Sequence, residues 1–460
     1  LELEVGWLSF RNDALEPNNG QGVSIVDGLN PLVDKDVASD SYRATALFDP
    51  EAALINLDVT VYRNEGEVDE VDPAINRFIE RDLTTTGIRA ENRAEFALGG
   101  AELALVTGVE WYEDEQIGFD STAPGNVRGG VPSGSTEFTG AWAQLETTLD
   151  LGAAGELIVL PGVRFDRFEN RSDVAASNED EAVSPRLAAT WAPNDSVRLF
   201  ASWAEAFRAP SLNELYITDT HFSLPHPILG PSVFITNAFI PNPDLRPEET
   251  ETFEIGAAFS RENLLDDGDR LEIKGAWFRT EAEDLINLEV DFAFSPTCFA
   301  FNPFSPFLPC SAGTSFSENL ASAELEGFEI AAAYTNGPWE LSGALFEVDG
   351  EDTATGDPIG ALQPLMGHIT ARYTIEPARL TLGGRLGFAG EFDKTTDPAQ
   401  ERDGYTVIDL YAGWRPFENE DVRIDFAVEN AFDENYERVF AGVSEPGRSV
   451  RIDVTWTGGW

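Results

Sequence analysis

The chain contains 460 residues, of which 82 are Asp or Glu and 30 are Lys or Arg, so its formal net charge is -52. This charge excludes nucleic acid as a partner, because binding to phosphates requires clustered Lys and Arg side chains. With 42% hydrophobic residues, including 31 Phe and 10 Trp, the chain has too much apolar surface to be a disordered acidic segment. Three His and two Cys leave few nitrogen and sulfur ligands for a resident metal ion.

The first residues show neither an initiator Met nor a basic segment followed by an apolar one. We therefore interpret the sequence as a processed or N-terminally truncated chain. No stretch approaches the ~20 consecutive apolar residues that a membrane-spanning helix needs. If the protein lies in a membrane, strands must cross it.

Alternation of apolar and polar residues predicts β-strands along much of the chain. It is clear in residues 197–204, where Val197, Leu199, Ala201 and Trp203 fall on one face, and it recurs in residues 380–388, 422–428 and 450–456. Such segments, bounded by turn residues, predict about 18 strands. Four arginines near or within the later segments all fall on the polar face: Arg379, Arg385, Arg423 and Arg451.

Very short connections alternate with long polar ones. The short connections are predicted at residues 49–51, 99–100, 152–155, 193–195, 336–338 and 376–378. The long ones are predicted at residues 12–40, 118–135, 208–248 and 287–315. A soluble β-sandwich would share the alternation, but short turns at one end and long loops at the other are typical of transmembrane barrels. We therefore predict an all-β, antiparallel barrel of the outer-membrane type, surrounded by lipid, with its long loops outside.

The predicted external loops include two acidic clusters, at residues 65–72 and 178–181. We interpret both as solvated surface rather than as cation sites. The sequence contains no phosphate loop, no nucleophile with His and acid partners, and no EF-hand spacing that a barrel could use. It therefore predicts that the protein is not an enzyme.

Two segments of the chain carry recognisable motifs: residues 207–216 read FRAPSLNELY and residues 242–256 read NPDLRPEETETFEIG. They resemble the paired FRAP and NPNL boxes of the TonB-dependent outer-membrane receptors, specifically the heme and hemoglobin receptor subfamily. Residues 91–96, 106–116, 429–437 and 446–456 also fit the family pattern. The resemblance implies a receptor of 22 barrel strands closed around an N-terminal plug. We expect residues 1–460 to be the β-barrel domain of such a receptor, without the plug.

The resemblance also implies a heme-ligating histidine in the loop between the two boxes. His221, in the sequence THFS, matches by position, and His226 is the weaker candidate. The alternative is a purely structural role, in which the loop histidine hydrogen-bonds a neighbouring carbonyl group. A neutral imidazole is a normal axial ligand of heme iron, and nearby aromatic rings could stack on the macrocycle. The aromatic candidates are Tyr216, Phe222, Phe234 and Phe239.

The boxes themselves are interpreted as framing the site. Proline fixes the chain where it leaves a strand, so both boxes can shape the loop without contacting the cargo. The framing residues are Phe207, Arg208, Ala209 and Pro210 of the first box and Asn242, Pro243, Asp244 and Leu245 of the second.

Cys298 and Cys310 both fall in the predicted loop 287–315. An extracellular location favours a disulfide between them over a metal pair, because no histidine lies near them in the sequence. Two free thiols are the alternative. No metal other than heme iron is expected.

The resemblance implies active uptake of heme, free or from hemoproteins, across the outer membrane of a Gram-negative bacterium. Heme is then the transported ligand, and the TonB-ExbB-ExbD complex acts through the plug. Two alternatives stay open: a TonB-dependent receptor for a siderophore-bound iron, and a passive porin-like channel.

Overall fold

We describe the fold from a computed structural model. It describes residues 1–17, 32–73, 75–299, 310–319, 322–360, 362–418, 421–438 and 444–457. The first half of this structure contains strands β1 to β11. Their bounds are β1 Glu2–Pro17, β2 Leu32–Ala52, β3 Ile55–Asp72, β4 Arg77–Leu98, β5 Ala101–Asp120, β6 Gly134–Asp150, β7 Glu156–Arg171, β8 Asn178–Asn194, β9 Val197–Arg208, β10 Thr220–His226 and β11 Gly230–Phe239.

Strands β12 to β22 follow in the second half. Their bounds are β12 Glu248–Glu262, β13 Arg270–Glu283, β14 Ile286–Asp291, β15 Thr314–Asn319, β16 Ser322–Asn336, β17 Trp339–Asp352, β18 Met366–Ile375, β19 Leu380–Ala389, β20 Tyr405–Trp414, β21 Val422–Glu429 and β22 Ser449–Trp456. One α-helix, α1 Leu212–Tyr216, lies between β9 and β10. None of the helices in the described ranges has the length and apolar composition needed to cross a membrane.

One antiparallel sheet of 18 strands dominates the fold. Strands β1 to β9 pair in chain order. Strand β9 then pairs with β12, and β13 and β16 to β22 continue the series. This confirms the predicted all-β antiparallel architecture. Within the described ranges, β1 and β22 each pair on one side only.

The large sheet has one face covered by exposed apolar side chains. In β12, Phe253 and Ile255 are 43% and 51% exposed. The preceding residue, Thr252, lies on the other face of the sheet, where its side chain hydrogen-bonds to the side chain of Thr280. Rows of large exposed apolar residues are rare on soluble proteins, whereas a barrel in lipid requires them on its outer surface. The apolar face is therefore the outer, lipid-facing one.

Several strands are far longer than the 9–11 residues that a membrane crossing needs. Strand β4 has 22 residues and β5 has 20, so their ends at the side of the long connections extend beyond the lipid. Both acidic clusters lie on such extensions: residues 65–72 belong to β3 and residues 178–181 to β8. Their prediction as loops was wrong, because a strand with water on both faces keeps its hydrogen bonds but loses the alternation.

The predicted connection 12–40 was wrong for the same reason, since β1 continues to Pro17 and β2 begins at Leu32. The two other longest connections contain secondary structure of their own. Residues 208–248 include α1, β10 and β11, and residues 287–315 include part of β14 and the start of β15. These four strands form a second sheet, in the order β10-β11-β15-β14, at the end where the long connections lie.

The assignment of the faces predicts opposite outcomes for two arginine substitutions. Ile255→Arg places a charge on the lipid face and should lower the free energy of unfolding by ~2–4 kcal/mol near the bilayer midplane. Ser202→Arg is the matched control, because Ser202 lies on the inner face opposite Glu254 and should cause little loss. Urea unfolding of the protein in phospholipid vesicles, followed by tryptophan fluorescence, measures both. Equal losses would contradict the assignment.

Candidate functional site

The two sequence boxes pack against each other at the outer rim of the large sheet. Leu212, Leu215 and Tyr216 of α1 form a small buried core with Leu245 of the second box. The hydroxyl of Tyr216, with one proton to donate, lies 3.1 and 3.0 Å from the carbonyl oxygens of Asn170 and of residue 176. Tyr216 is fully buried, so the prediction that its ring could stack on a ligand was wrong.

Polar contacts join the boxes to the neighbouring strands. The side-chain amide of Asn178 donates to the carbonyl oxygens of Pro243 and Leu245, at 3.0 and 2.8 Å. Asn170 donates in the same way to the carbonyl of Pro210, at 3.1 Å. Asn242 donates to the carbonyl of Ser317 at 2.8 Å. These contacts fix the backbone of both boxes.

Arg208 connects the start and the end of the segment between the boxes. It is the register partner of Glu248, where the chain re-enters the large sheet. Its guanidinium donates two hydrogen bonds of 2.6 Å to Glu248 and two of 2.9 Å to Glu214 in α1. Two bidentate pairs use the planar fork of arginine, which lysine does not have. One side chain thus closes the base of the segment.

Glu214 also belongs to a capping box at the start of α1. Ser211 Oγ accepts from the Glu214 amide, and the Glu214 carboxylate accepts from the Ser211 amide at 2.7 Å. Burial alone would raise the pKa of the Glu214 carboxyl, but hydrogen bonds donated by Arg208 and Ser211 outweigh it and lower that pKa. The carboxylate is therefore charged throughout the neutral range.

His221 lies on β10, an edge strand of the small sheet. Its ring is half-buried between two phenylalanines, with centroid distances of 5.0 Å to Phe222 and 4.6 Å to Phe239. Its Nδ1 lies 2.8 Å from Oγ of Ser315 in β15. The structure therefore brings together His221 and two of the predicted aromatic residues. Phe234 is 62% exposed, and no ring contact with His221 is found for it in the described part of the chain.

His226 lies at the end of the same strand in a different environment. It is 8% exposed, and its Nδ1 accepts hydrogen bonds from the backbone amides of Ile228 and Leu229, at 3.1 and 3.2 Å. In the neutral ring the proton must then be on Nε2. His226 therefore stabilises the turn between β10 and β11, and neither of its nitrogens offers a free lone pair.

Aromatic residues continue from His221 toward the two cysteines. Phe222 lies 6.3 Å from Phe292, which lies 5.2 Å from Phe294, and Phe294 lies 6.1 Å from Phe299. Cys298 and Cys310 form a disulfide with their Cα atoms 4.7 Å apart. The residues between them fall mostly outside the described ranges. The disulfide holds together the two ends of the segment that follows this aromatic run.

Beneath α1, the rings of Tyr112, Phe138 and Phe207 line a cavity of about 830 Å³. Tyr112 and Phe138 stack at 5.0 Å, and Phe207 lies 6.1 Å from Phe138 and 6.3 Å from Phe168. Alternation along β9 would place Phe207 on the outer face. Strands β8 and β9 stop pairing at Ala204, and beyond this point the ring of Phe207 lies against Phe138 and Phe168 of the inner row. The ring contacts of Phe207 thus hold the first box against the barrel wall.

Sequence reasoning missed Ser315 and another buried polar residue near His221, Asn237. Both are fully buried, and Ser315 Oγ donates to Oδ1 of Asn237 at 2.6 Å. These residues come from strands separated by 78 positions, and Ser315 is 94 positions from His221. No local motif marks them, so only the fold could reveal the contact.

The paired strands, the apolar outer face and the long connections at one end define a class: the transmembrane β-barrels of the outer membrane. Residues 5–431 match the family model described as TonB dependent receptor-like, beta-barrel. The chain belongs to this family of Gram-negative outer-membrane proteins, which function in transport and are not enzymes.

Similar relatives include hemin and heme receptors. The chain is 27% identical over 454 residues to a hemin receptor of Yersinia pestis, covering 97% of this chain and 62% of the relative. It is 26% identical over 437 residues to the heme/hemopexin utilization protein C of Haemophilus influenzae strain 86-028NP, covering 94% of this chain and 58% of the relative. The chain therefore spans about three fifths of the length of these curated relatives.

Solved structures support the fold. A double mutant of the Serratia marcescens hemophore receptor HasR, in complex with HasA and heme, has a TM-score of 0.74 at 19% identity and covers 99% of this chain and 68% of that one. The FrpB iron transporter of Neisseria meningitidis (F3-3 variant) has a TM-score of 0.72 at 14% identity, and the match covers 99% of this chain and 69% of that one. At these identities the likeness concerns the fold alone.

The lowered pKa of Glu214 predicts a loss of local stability in acid. Because this pKa is lower in the folded than in the unfolded chain, the stabilisation is complete above the ordinary carboxyl value of about 4.3 and is lost as the pH falls through the lowered value. Hydrogen exchange at the α1 amides, corrected for the intrinsic effect of pH, measures this. Glu214→Gln should abolish the pH dependence, and Glu205→Gln, at the same strand end, should not. An unchanged pH dependence in Glu214→Gln would contradict the assignment.

Proposed function

We propose that the chain is the β-barrel domain of a TonB-dependent receptor for active uptake of heme, free or from hemoproteins. The observation that carries the proposal is the position of His221 in the small sheet, at the end of the barrel where the long connections lie. There its ring is half-buried between Phe222 and Phe239. An imidazole beside flat apolar rings suits a ligand that is both an iron complex and a planar macrocycle.

The relatives support the choice of cargo. The Yersinia and Haemophilus proteins are named for hemin and heme, and they match nearly the whole of this chain. The fold alone does not select heme, because siderophore receptors such as PirA of Acinetobacter baumannii share it, with a TM-score of 0.67. The choice of heme over a siderophore therefore depends on His221 and its aromatic neighbours.

In the proposed mechanism, heme binds first at the outer end of the barrel. His221 supplies an axial ligand to the iron, and the phenylalanine rings exclude water from one side of the macrocycle. The framing boxes hold this site over the barrel by the contacts of Arg208 and Leu245. The TonB-ExbB-ExbD complex then acts through the N-terminal plug to admit the cargo.

Replacing the two loop histidines separates ligation from turn stability. His221→Asn removes the imidazole and should weaken hemin binding by roughly tenfold or more, since substitutions next to a ligand alone reach this range. His226→Asn is the matched control, because an asparagine oxygen can still accept from the backbone amides of the turn and should leave binding unchanged. Titration of the receptor in detergent with hemin, followed by the Soret band, measures both affinities.

Growth on heme or on a ferric siderophore as the iron source separates the two cargoes. The proposal expects His221→Asn to reduce growth on heme and to leave growth on a siderophore unchanged. Unchanged hemin affinity together with unchanged growth on heme would remove His221 from the mechanism. High conductance of the full receptor in a planar bilayer would instead favour a passive channel.

A further inference from the structure

A chain of hydrogen bonds leads from His221 into the interior of the small sheet. His221 Nδ1 lies 2.8 Å from Ser315 Oγ, which lies 2.6 Å from Asn237 Oδ1. The side-chain amide of Asn237 continues to the carbonyl oxygens of Asp291 and Ala312, at 3.3 and 3.2 Å. Ser315 and Asn237 are both 0% exposed, so water does not compete for these groups.

The two carbonyl oxygens fix the orientation of Asn237. A backbone carbonyl only accepts hydrogen bonds, so the group that faces Asp291 and Ala312 must be the Nδ2 amide, which has two protons to donate. The reversed amide would place Oδ1 against two other oxygens in a buried site, where neither of them can donate to it. Oδ1 of Asn237 therefore faces Ser315.

This orientation determines the direction of the remaining bonds. Because Asn237 Oδ1 only accepts, Ser315 Oγ must donate its single proton to it. The hydroxyl can then only accept from His221, so Nδ1 of His221 must carry a proton. If Ser315 donated to His221 instead, Oδ1 of Asn237 would be buried without a donor, which costs about 1–3 kcal/mol.

We propose that Ser315 and Asn237 are positioning residues that hold the neutral His221 ring in the Nδ1–H tautomer, so that Nε2 presents its lone pair to iron. The inference deepens the proposed function and rests on it for the identity of the ligand. The tautomer itself depends only on contacts within the protein. In water the neutral histidine side chain favours the opposite, Nε2–H tautomer. The relay of hydrogen bonds through Ser315 and Asn237 must overcome this preference.

The tautomer can be measured in the receptor without heme. With ¹⁵N-labelled histidine at mildly alkaline pH, protonated and unprotonated ring nitrogens have well-separated chemical shifts. The chain has three histidines, and the His221 signals are those absent from His221→Asn. The proposal expects a protonated Nδ1 and an unprotonated Nε2. A protonated Nε2 at His221 in the unsubstituted receptor would overturn it.

Substitutions at β15 test whether the relay causes His221 to adopt the Nδ1–H tautomer. Ser315→Ala removes the acceptor of His221 and should shift the signals toward the Nε2–H tautomer. Ser315→Thr keeps a hydroxyl and should preserve the original signals. Ser317→Ala is the matched control, because Ser317 is on the same strand and 5% exposed, yet the described contacts do not connect its hydroxyl to His221. An unchanged spectrum in folded Ser315→Ala would overturn the proposal.

Hemin titration provides the second measurement. Ser315→Ala should weaken hemin binding by ~10-fold, within the range for groups that orient a metal ligand, while Ser315→Thr and Ser317→Ala should bind as the unsubstituted receptor does. If Ser315→Ala does not fold, the spectra of the unsubstituted receptor and of Ser315→Thr still decide the tautomer. The two proposals fail separately: full hemin affinity in His221→Asn contradicts the function, and a protonated Nε2 contradicts the relay.

Discussion

The pairing of backbone groups in lipid is the constraint on which the whole structure depends. Hydrocarbon contains no water to hydrogen-bond an exposed amide or carbonyl group, so each strand must be paired on both sides where it crosses the membrane. The continuous ladder between β4 and β5, from Ile79 opposite Asp120 to Leu98 opposite Ala101, shows how completely the sheet meets this demand. By the same argument, the outer edges of β1 and β22 need partner strands wherever they lie in lipid.

Because the strands cannot vary where they cross the lipid, structural variety is confined to the connections at one end. The segment between β9 and β12 uses the ladder as its base, since Arg208 and Glu248 are register partners and the chain leaves and re-enters at one place. Upon that base, a core of a few side chains around Tyr216 is enough to fold α1 against the second box. The boxes therefore act first as structural elements, and the proposed ligand site at His221 depends on their packing.

Sequence alternation predicted the faces of the sheet correctly where one face meets lipid, because period two is required only when the two faces have different solvents. It failed at residues 65–72, where both faces of β3 are wet and the sequence looks like a loop. Composition also failed at Tyr216, because an aromatic residue in a loop can serve a ligand or a local core. The contacts of Tyr216 with Leu215 and Leu245 show that it belongs to the local core, and these contacts are not visible in the sequence.

The two loop histidines show most clearly what the sequence cannot determine. His221 and His226 lie on one short strand, and residue type and position suggest both as ligands. The difference arises from their Nδ1 partners. His226 accepts from two backbone amides that lie within three residues, which places its proton on Nε2. His221 meets a hydroxyl from β15 that is already committed to Asn237, which places its proton on Nδ1. Opposite tautomers thus follow from one local and one long-range contact, and only the long-range contact leaves Nε2 free for a metal.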